Sequence, residues 1–365
     1  MPSPNYWDYL RLDGLLTLQG GLEKDEASLL PDELHFIVVH QVYELWFKLA
    51  LREMRLARDA LGRERVDESA IPEVCHHLDR FNCLLRLAVQ QFELVETLTP
   101  QDFLAFRDKL FPASGFQSFQ MRELEILMGL KDSDRVKLGG TDIFTHLERQ
   151  TQDTPAGRMA MDRIAAVRAE RTLHDVLDDW LYRTPIDGSQ PSLPDDESAV
   201  ATFVERWIGA SDDYLNHTEA KVLGVGLKDP SLAARFEGAR RSARLFLDGD
   251  GAPEDGRARR RRIRAAVLFI ESYRSLPLLA WPRRLLDGLV EMEEQIVLWR
   301  HRHARMVERV IGRRVGTGGS GGVEYLDRTA AYRVFGDLWT VRTLLLPPDQ
   351  NPALRRASGY GFSAT

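Results

Sequence analysis

His303 is the first candidate for chemistry in this sequence of 365 residues. Around it on a predicted helix, the positions three, four and seven residues away are all apolar: Ile296, Trp299, Met306, Val307 and Val310. A lone imidazole on such a face suits a haem iron, which takes a single protein nitrogen. Helix geometry alone favours a core histidine whose ring nitrogens are hydrogen-bonded. His301 points about 200° away, so the pair cannot chelate one ion from a regular helix.

His40 is the second candidate, on a different predicted helix. The residues at helical spacing around it are Phe36, Tyr43, Glu44 and Phe47. An imidazole between aromatic rings could hydrogen-bond an indole N–H or an iron-bound oxygen, or it could be a satisfied core histidine. The sequence has no His-Glu-x-x-His and no Cys-x-x-Cys pattern, so a zinc site has no support.

Arg107 occupies a stripe that is otherwise apolar. Its neighbours at helical spacing are Phe103, Phe106, Leu110 and Phe111. A guanidinium there could bind a substrate carboxylate through two hydrogen bonds. It could also lie over the stripe with its charged end in water, or pair with a protein carboxylate. The glycine-rich segment 316–322 lacks the Lys-Ser/Thr of a phosphate-binding loop, which favours a flexible lid or a plain loop.

Helical periodicity dominates the chain and predicts an all-α fold. Pro31 and Gly62 flank the first long segment, and Thr99 with Pro100 begins a shorter one. Polar loops are predicted near 184–197 and 248–256. We treat residues 1–365 as a single domain. Helices are predicted at Asp32–Leu61, 70–97, Pro100–Phe111, Phe119–Leu130, 158–182, 198–225, Arg283–Ile311 and 327–345.

Composition excludes several classes of protein. The net charge is −6, which argues against a nucleic-acid partner held by a positive field. The basic run Arg257–Arg264 is interpreted as a solvated helix face. No apolar run is long enough to span a membrane, and no signal peptide is evident. Cys75 and Cys83 lie too far apart on one helix to bridge, so we expect buried thiols and a cytoplasmic location.

Several sequence blocks together resemble the tryptophan 2,3-dioxygenases. They appear in the order and nearly the spacing of that family, from the N-terminus to about residue 345. The blocks are YWDYLRLDGLL (6–16), DELHFIVVHQVYELWFK (32–48), DFLAFRDKLFPASGFQSFQMRELE (102–125), WRHRHARMVERVIG (299–312) and GTGGSGGVEYL (316–326). The resemblance implies a helical bundle that binds one haem b per subunit and assembles as a homotetramer.

The resemblance also implies roles for individual residues. His303 matches the axial haem ligand of a Trp-Arg-x-x-His motif, and Trp299 opens that motif beside the cofactor. His40 matches the histidine that hydrogen-bonds the indole nitrogen, with Phe36 lining the same pocket. Further positions match as follows: Arg107 with the arginine on the substrate carboxylate, Phe103 with a substrate-pocket Phe or Tyr, Thr317 with the loop threonine at the amino-acid end, Ser114 and Gly115 with the Ser-Gly near the haem, and Tyr6, Tyr9 and Leu10 with residues donated to a neighbouring subunit's site.

We therefore expect a haem-dependent dioxygenase that converts L-tryptophan and O₂ to N-formylkynurenine. Met121 stands where the family commonly has an aromatic residue, and the loop at Gly321-Gly322 also departs from the pattern. These departures motivate an alternative, a related haem oxygenase or monooxygenase that acts on a substituted tryptophan or an indole in a biosynthetic pathway. A haem-binding sensor without turnover is a third hypothesis.

Overall fold

The structure of this chain is a computed structural model, and the regular elements of the residues that it describes are helices. The described residues are 5–138, 140–151, 154–225, 229, 231–314, 316 and 322–361. Among them, no strand forms, and pairing of the β type is limited to two isolated bridges. This confirms the predicted all-α class. No helix of the described residues combines the length and the hydropathy that crossing a membrane requires.

The chain divides into two compact units, and the first holds the predicted chemistry. Unit 1 comprises Met1–Arg55, Asp79–Arg171 and Met292–Arg333. Its interior is built from aromatic and leucine side chains such as Phe47, Phe81 and Phe92. Helices with residues in this unit are α1 (Tyr6–Leu10), α2 (Leu12–Leu15), α3 (Pro31–Leu61), α4 (Ala70–Gln90), α5 (Phe92–Val95), α6 (Pro100–Leu110), α7 (Phe119–Met128), α8 (Ile143–Thr151), α9 (Pro155–Arg168), α14 (Ala280–Ile311) and α15 (Val323–Thr329).

Local signals fix where the site-bearing helices begin and end. The Thr99 hydroxyl accepts the backbone N–H of Asp102 at 3.3 Å, and Pro100 takes the first turn of α6. Ser118 caps α7 in the same way through the N–H of Met121. Gly129 and Gly312, each with a positive φ, follow α7 and α14. These caps set the lengths of the helices and hence which side chains share a face.

Unit 2 comprises Leu56–Leu78, Thr172–Glu291 and Val334–Thr365. Trp207 is fully buried in it, and its indole N–H donates to the carbonyl of Leu344 at 3.2 Å. The helices that appear only in this unit are α10 (Leu173–Arg183), α11 (Asp196–Gly224), α12 (Leu232–Leu247), α13 (Arg257–Ser272) and α16 (Gly336–Thr340).

The basic run at the start of α13 differs from the solvated face that its composition predicted. Arg262 is buried, and its guanidinium donates to Asp196 at 2.9 Å. Arg260 and Arg264 both pair with Asp337. Ion pairs with acidic residues far away in sequence, which composition does not reveal, therefore take up much of this charge within unit 2.

Three other predictions are wrong in detail. The segment 158–182 is two helices, because Thr172 begins α10 with a capping box that includes Asp175. The segment 327–345 is not one helix but α15, a turn and α16 followed by a short 3₁₀ turn. Cys75 is buried as expected, but Cys83 is exposed, because positions eight apart on a helix differ by about 80° in direction.

Candidate active site

A cavity of about 440 Å³ lies within unit 1, a volume in the usual range for small-molecule sites. Seven of the predicted site residues line it: Phe36, His40, Phe103, Arg107, Ser114, Gly115 and His303. They come from α3, α6, the segment before α7 and α14, which are distant in sequence. A larger cavity of about 600 Å³ in unit 2 holds none of the predicted residues.

His303 lies on the α14 wall of this cavity, together with Met306, Val307 and Val310. Its ring stacks on Phe92, with centroids 5.9 Å apart and planes at 19°, and lies 5.0 Å from the ring of Trp299. No hydrogen bond to this imidazole is present among the described residues. Burial, followed by the nearby charges of His40 and Arg122, lowers the pKa of His303 to about 4. The imidazole is therefore neutral at pH 7, as a metal ligand must be.

His40 lines the cavity from α3, and its tautomer is fixed by the helix itself. Nδ1 lies 2.7 Å from the carbonyl oxygen of Phe36, which can only accept, so Nδ1 carries the proton. Burial lowers the pKa of His40 below its usual value, which keeps the ring neutral. Nε2 is therefore a hydrogen-bond acceptor.

Phe36 and Phe103 make the aromatic part of the wall beside His40. The Phe36 ring lies 3.9 Å from the His40 ring and 5.9 Å from the Phe103 ring, measured between centroids. Arg107, which is half-buried, comes one turn after Phe103 on α6 and lines the same cavity. One side of the cavity thus combines flat apolar surfaces, a neutral acceptor and a guanidinium.

The segment before α7 supplies a polar edge. The Ser114 hydroxyl accepts the N–H of Phe116 at 3.3 Å, and the side chain of Gln117 accepts the N–H of Ser114 at 3.4 Å. A Cβ added at Gly115 would meet no atom within 4 Å, and the φ of Gly115 is not left-handed. The protein's own packing does not demand glycine here, so the open space beside it is available to a ligand.

These residues fit a haem better than a metal ion alone. The described residues contain no cluster of three His, Cys, Asp or Glu side chains. They do contain one neutral imidazole, held between two rings on an apolar helix face, which is the donor set of a haem iron bound by a single histidine. Apolar walls and the open space at Gly115 suit a flat macrocycle.

The other predicted residues do not line the cavity of this single chain. Trp299 packs against His303 rather than facing the open volume. Tyr6 and Tyr9 on α1 are 68% and 80% exposed, and Leu10 is also exposed. In the single chain these side chains leave apolar surface open to solvent. Thr317 lies outside the described residues.

Sequence reasoning gave no functional role to two polar features of this region. Glu44 lines the cavity one turn after His40, and its carboxylate accepts from the Gln120 amide at 2.8 Å. The sequence does place Glu44 on the same helix face as His40, and this spacing could have indicated that Glu44 lines the site. The other feature is Glu125, which is buried among Arg122, Arg135 and Arg300. Despite burial, the charges of these arginines lower the pKa of Glu125 to about 2. No local pattern reveals a contact between α7 and α14.

Known proteins resemble this chain over nearly all of its length. The family model described as tryptophan 2,3-dioxygenase matches residues 2–345. A tryptophan 2,3-dioxygenase from Sorangium cellulosum is 45% identical, covering 98% of this chain and 87% of the relative. Tryptophan 2,3-dioxygenase 2 from Ralstonia nicotianae is also 45% identical, over 100% of this chain and 99% of its own length. An insect relative of the same name, from Anopheles gambiae, is 34% identical over 96% of this chain.

Proposed function

The chain belongs to the tryptophan 2,3-dioxygenase family, and from that premise we propose that it oxidises L-tryptophan with O₂ to N-formylkynurenine. Both oxygen atoms enter the product across the indole C2–C3 bond, which breaks, so no further reductant is consumed. The observation that carries the proposal is one cavity that joins a neutral imidazole on an apolar wall, a second imidazole with a free acceptor nitrogen, and an arginine.

Haem b is the proposed cofactor, and His303 is the residue that would hold its iron. When bound, the haem supplies the ferrous iron that activates O₂, chemistry that side chains alone cannot supply. Phe92 and Trp299 restrict rotation of the His303 ring. Met306, Val307 and Val310 exclude water from that face. Ser114 and Gly115 are proposed to lie along the edge of the macrocycle.

The amino acid is proposed to bind on the His40 side of the cavity. Arg107 pairs with its carboxylate through charge-assisted hydrogen bonds, and Thr317 assists at the same end. Phe36 and Phe103 pack on the indole, whose N–H donates to His40 Nε2. These contacts hold the indole C2–C3 bond in one orientation, which is the main contribution that the protein makes to the rate.

Assembly, domain organisation and location are also proposals. We infer a homotetramer in which Tyr6, Tyr9 and Leu10 of one subunit cover the site of another. The exposure of these three side chains in the single chain supports this arrangement. We further propose a single functional domain that works in the cytoplasm.

Reconstitution and product analysis test the proposed function. The protein is loaded with haemin, reduced, and incubated with L-tryptophan under ¹⁸O₂, and the product is identified by mass. Haem binding with a five-coordinate histidine spectrum, and N-formylkynurenine that carries two ¹⁸O atoms, are expected. A product with a single ¹⁸O, or turnover only with substituted indoles, would contradict the proposal. The matched variant His303→Ala should lose stoichiometric haem binding.

A further inference from the structure

A buried cluster of charges behind the cavity contains more positive than negative side chains. Arg135, Arg300 and Glu125 are each at least 96% buried at the side chain, and that of Arg122 is 88% buried. Arg122 donates to Glu125 at 3.0 Å and Arg300 donates to it at 2.8 Å, while Arg135 makes a third pair. The cluster thus holds three guanidinium groups around one buried carboxylate.

Arg135 and Arg300 find further acceptors among carboxylate and backbone oxygens, whereas the group that lies beside Arg122 is the neutral hydroxyl of Tyr325. Arg135 pairs with the more exposed Asp132 at 3.2 Å, and Arg300 donates to the carbonyl of Thr329 at 3.2 Å. The Nε of Arg122 is buried without any hydrogen-bond partner among the described residues. A buried donor that stays unpaired costs about 1–3 kcal/mol, so it is expected to meet an acceptor in the working protein.

A second unpaired donor lies beside Arg122. The hydroxyl of Tyr325, on α15, lies near Arg122 and Tyr332, but it is also buried without a hydrogen bond of normal geometry among the described residues. Both side chains pack on Phe116: the Arg122 guanidinium is 5.8 Å from the ring centroid, and the two aromatic centroids are 4.8 Å apart. Burial raises the pKa of Tyr325, so its hydroxyl keeps the proton that it can donate. A cation and a neutral donor without an acceptor together favour an anion.

The location of this pair indicates where the anion comes from. Phe116, Ser118 and Phe119 all line the cavity, and Arg122 lies one helical turn beyond Ser118 and Phe119 on the same side of α7. Tyr325 immediately precedes Leu326, which also lines the cavity. Arg122 and Tyr325 do not line the cavity themselves but lie directly behind these residues, where a ligand carboxylate that reached past the lining would meet both donors.

We propose that Arg122 and Tyr325 form a carboxylate-binding site for a propionate of the haem. This rests on the proposed function, because it assumes that the cavity binds that cofactor. The amino-acid substrate is the other possible source of a carboxylate, but Arg107 on α6 already offers it a guanidinium in the cavity lining. Arg122 and Tyr325 then stabilise the bound cofactor and set its orientation about the axis through His303.

The test compares haemin with haemin dimethyl ester, in which both propionates are neutral. Their dissociation constants are measured by absorbance titration of the full chain. The wild-type protein should bind the ester about 10- to 100-fold more weakly, as expected for the loss of hydrogen bonds to a charged group. We call the dissociation constant of the ester divided by that of haemin the ester ratio. In Arg122→Met and in Tyr325→Phe the ester ratio should fall to a few-fold. Tyr325→Phe removes a single oxygen atom, so it tests the site even where loss of the arginine impairs folding.

Tyr43→Phe is the matched control, because the Tyr43 hydroxyl already donates to the carbonyl of Ala88 at 3.0 Å. Its ester ratio should equal that of the wild type. A ratio that stays unchanged in both Arg122→Met and Tyr325→Phe would overturn this site while leaving the proposed function intact. If these variants instead altered discrimination between L-tryptophan and tryptamine, the carboxylate would be that of the substrate and the assignment to haem would be wrong. Wild-type protein that binds neither porphyrin would overturn the proposed function as well.

Discussion

Replacing His40 by leucine isolates one hydrogen bond. In the wild-type protein the Nδ1 proton is held by the Phe36 carbonyl at 2.7 Å, so the ring offers the cavity an acceptor and no donor. Leucine keeps much of the apolar contact and removes that acceptor. The Phe36 carbonyl still accepts the helical N–H of residue 40, so α3 is expected to stay intact.

The size of the effect follows from the type of bond. A neutral donor bound to a neutral acceptor contributes about 0.5–1.5 kcal/mol net of its exchange with water. That is about 2- to 12-fold in a dissociation constant. His40→Leu should therefore raise the dissociation constant of L-tryptophan by that factor. It should leave almost unchanged the binding of 3-benzothienyl-L-alanine, whose ring sulfur replaces the indole N–H.

The assay is a four-way comparison of two proteins and two ligands, made by anaerobic titration of the haem-loaded chain. The wild-type protein should prefer L-tryptophan over the benzothienyl analogue by about 2- to 12-fold, and His40→Leu should lose that preference. Tyr43→Phe serves as the control on the same helix and should keep it. A preference that survives in His40→Leu would refute the assignment of Nε2 as the acceptor.

Three further predictions concern the rest of the site and its support. Arg107→Met should raise the Kd of L-tryptophan about 10- to 100-fold and leave that of tryptamine, which has no carboxylate, within a few-fold; equal losses for both ligands would contradict the carboxylate role. Gly115→Val should weaken haemin binding with little change in Tm, because a Cβ there meets no atom within 4 Å, whereas Gly209→Val, outside the cavity, should leave haemin affinity unchanged. Glu125 has a folded pKa of about 2 against 4.5 for the free group, so it stabilises the fold above pH 4.5, and about 3 kcal/mol is lost as the pH falls through 2. In Glu125→Gln, the fall of the unfolding free energy between pH 5 and pH 3, measured by urea titration, should be shallower; an equal slope would show that another group titrates there.

Sequence reasoning predicted the elements whose boundaries depend on neighbouring residues. α3, α6, α7 and α14 carry caps or punctuation that can be read locally, such as Thr99-Pro100 before α6 and Gly312 after α14. The apolar face of His303 was also local, and the cavity wall of Met306, Val307 and Val310 follows from it. The prediction that His303 and His40 share one cavity depended on the family resemblance, because the spacing of residues along the chain does not show how two separate helices pack.

The errors share a physical origin. α9 ends at Arg168 and Thr172 begins α10 through a capping box, without a glycine or proline to mark the break. Glu125 and Arg300 are 175 positions apart and pair at 2.8 Å, so neither shows its partner in the sequence. The burial of Arg262 depends in the same way on Asp196. Such long-range ion pairs decide whether a charged residue lies at the surface or in the interior. The hydrophobic periodicity of the sequence gives no information about them.

The arginines at the start of α13 have a practical consequence at the bench. Asp178, Asp179, Asp196, Asp248 and Asp337 already neutralise five of them. A heparin column should therefore release this chain at low ionic strength, in keeping with its overall charge of −6 rather than with its most basic octapeptide.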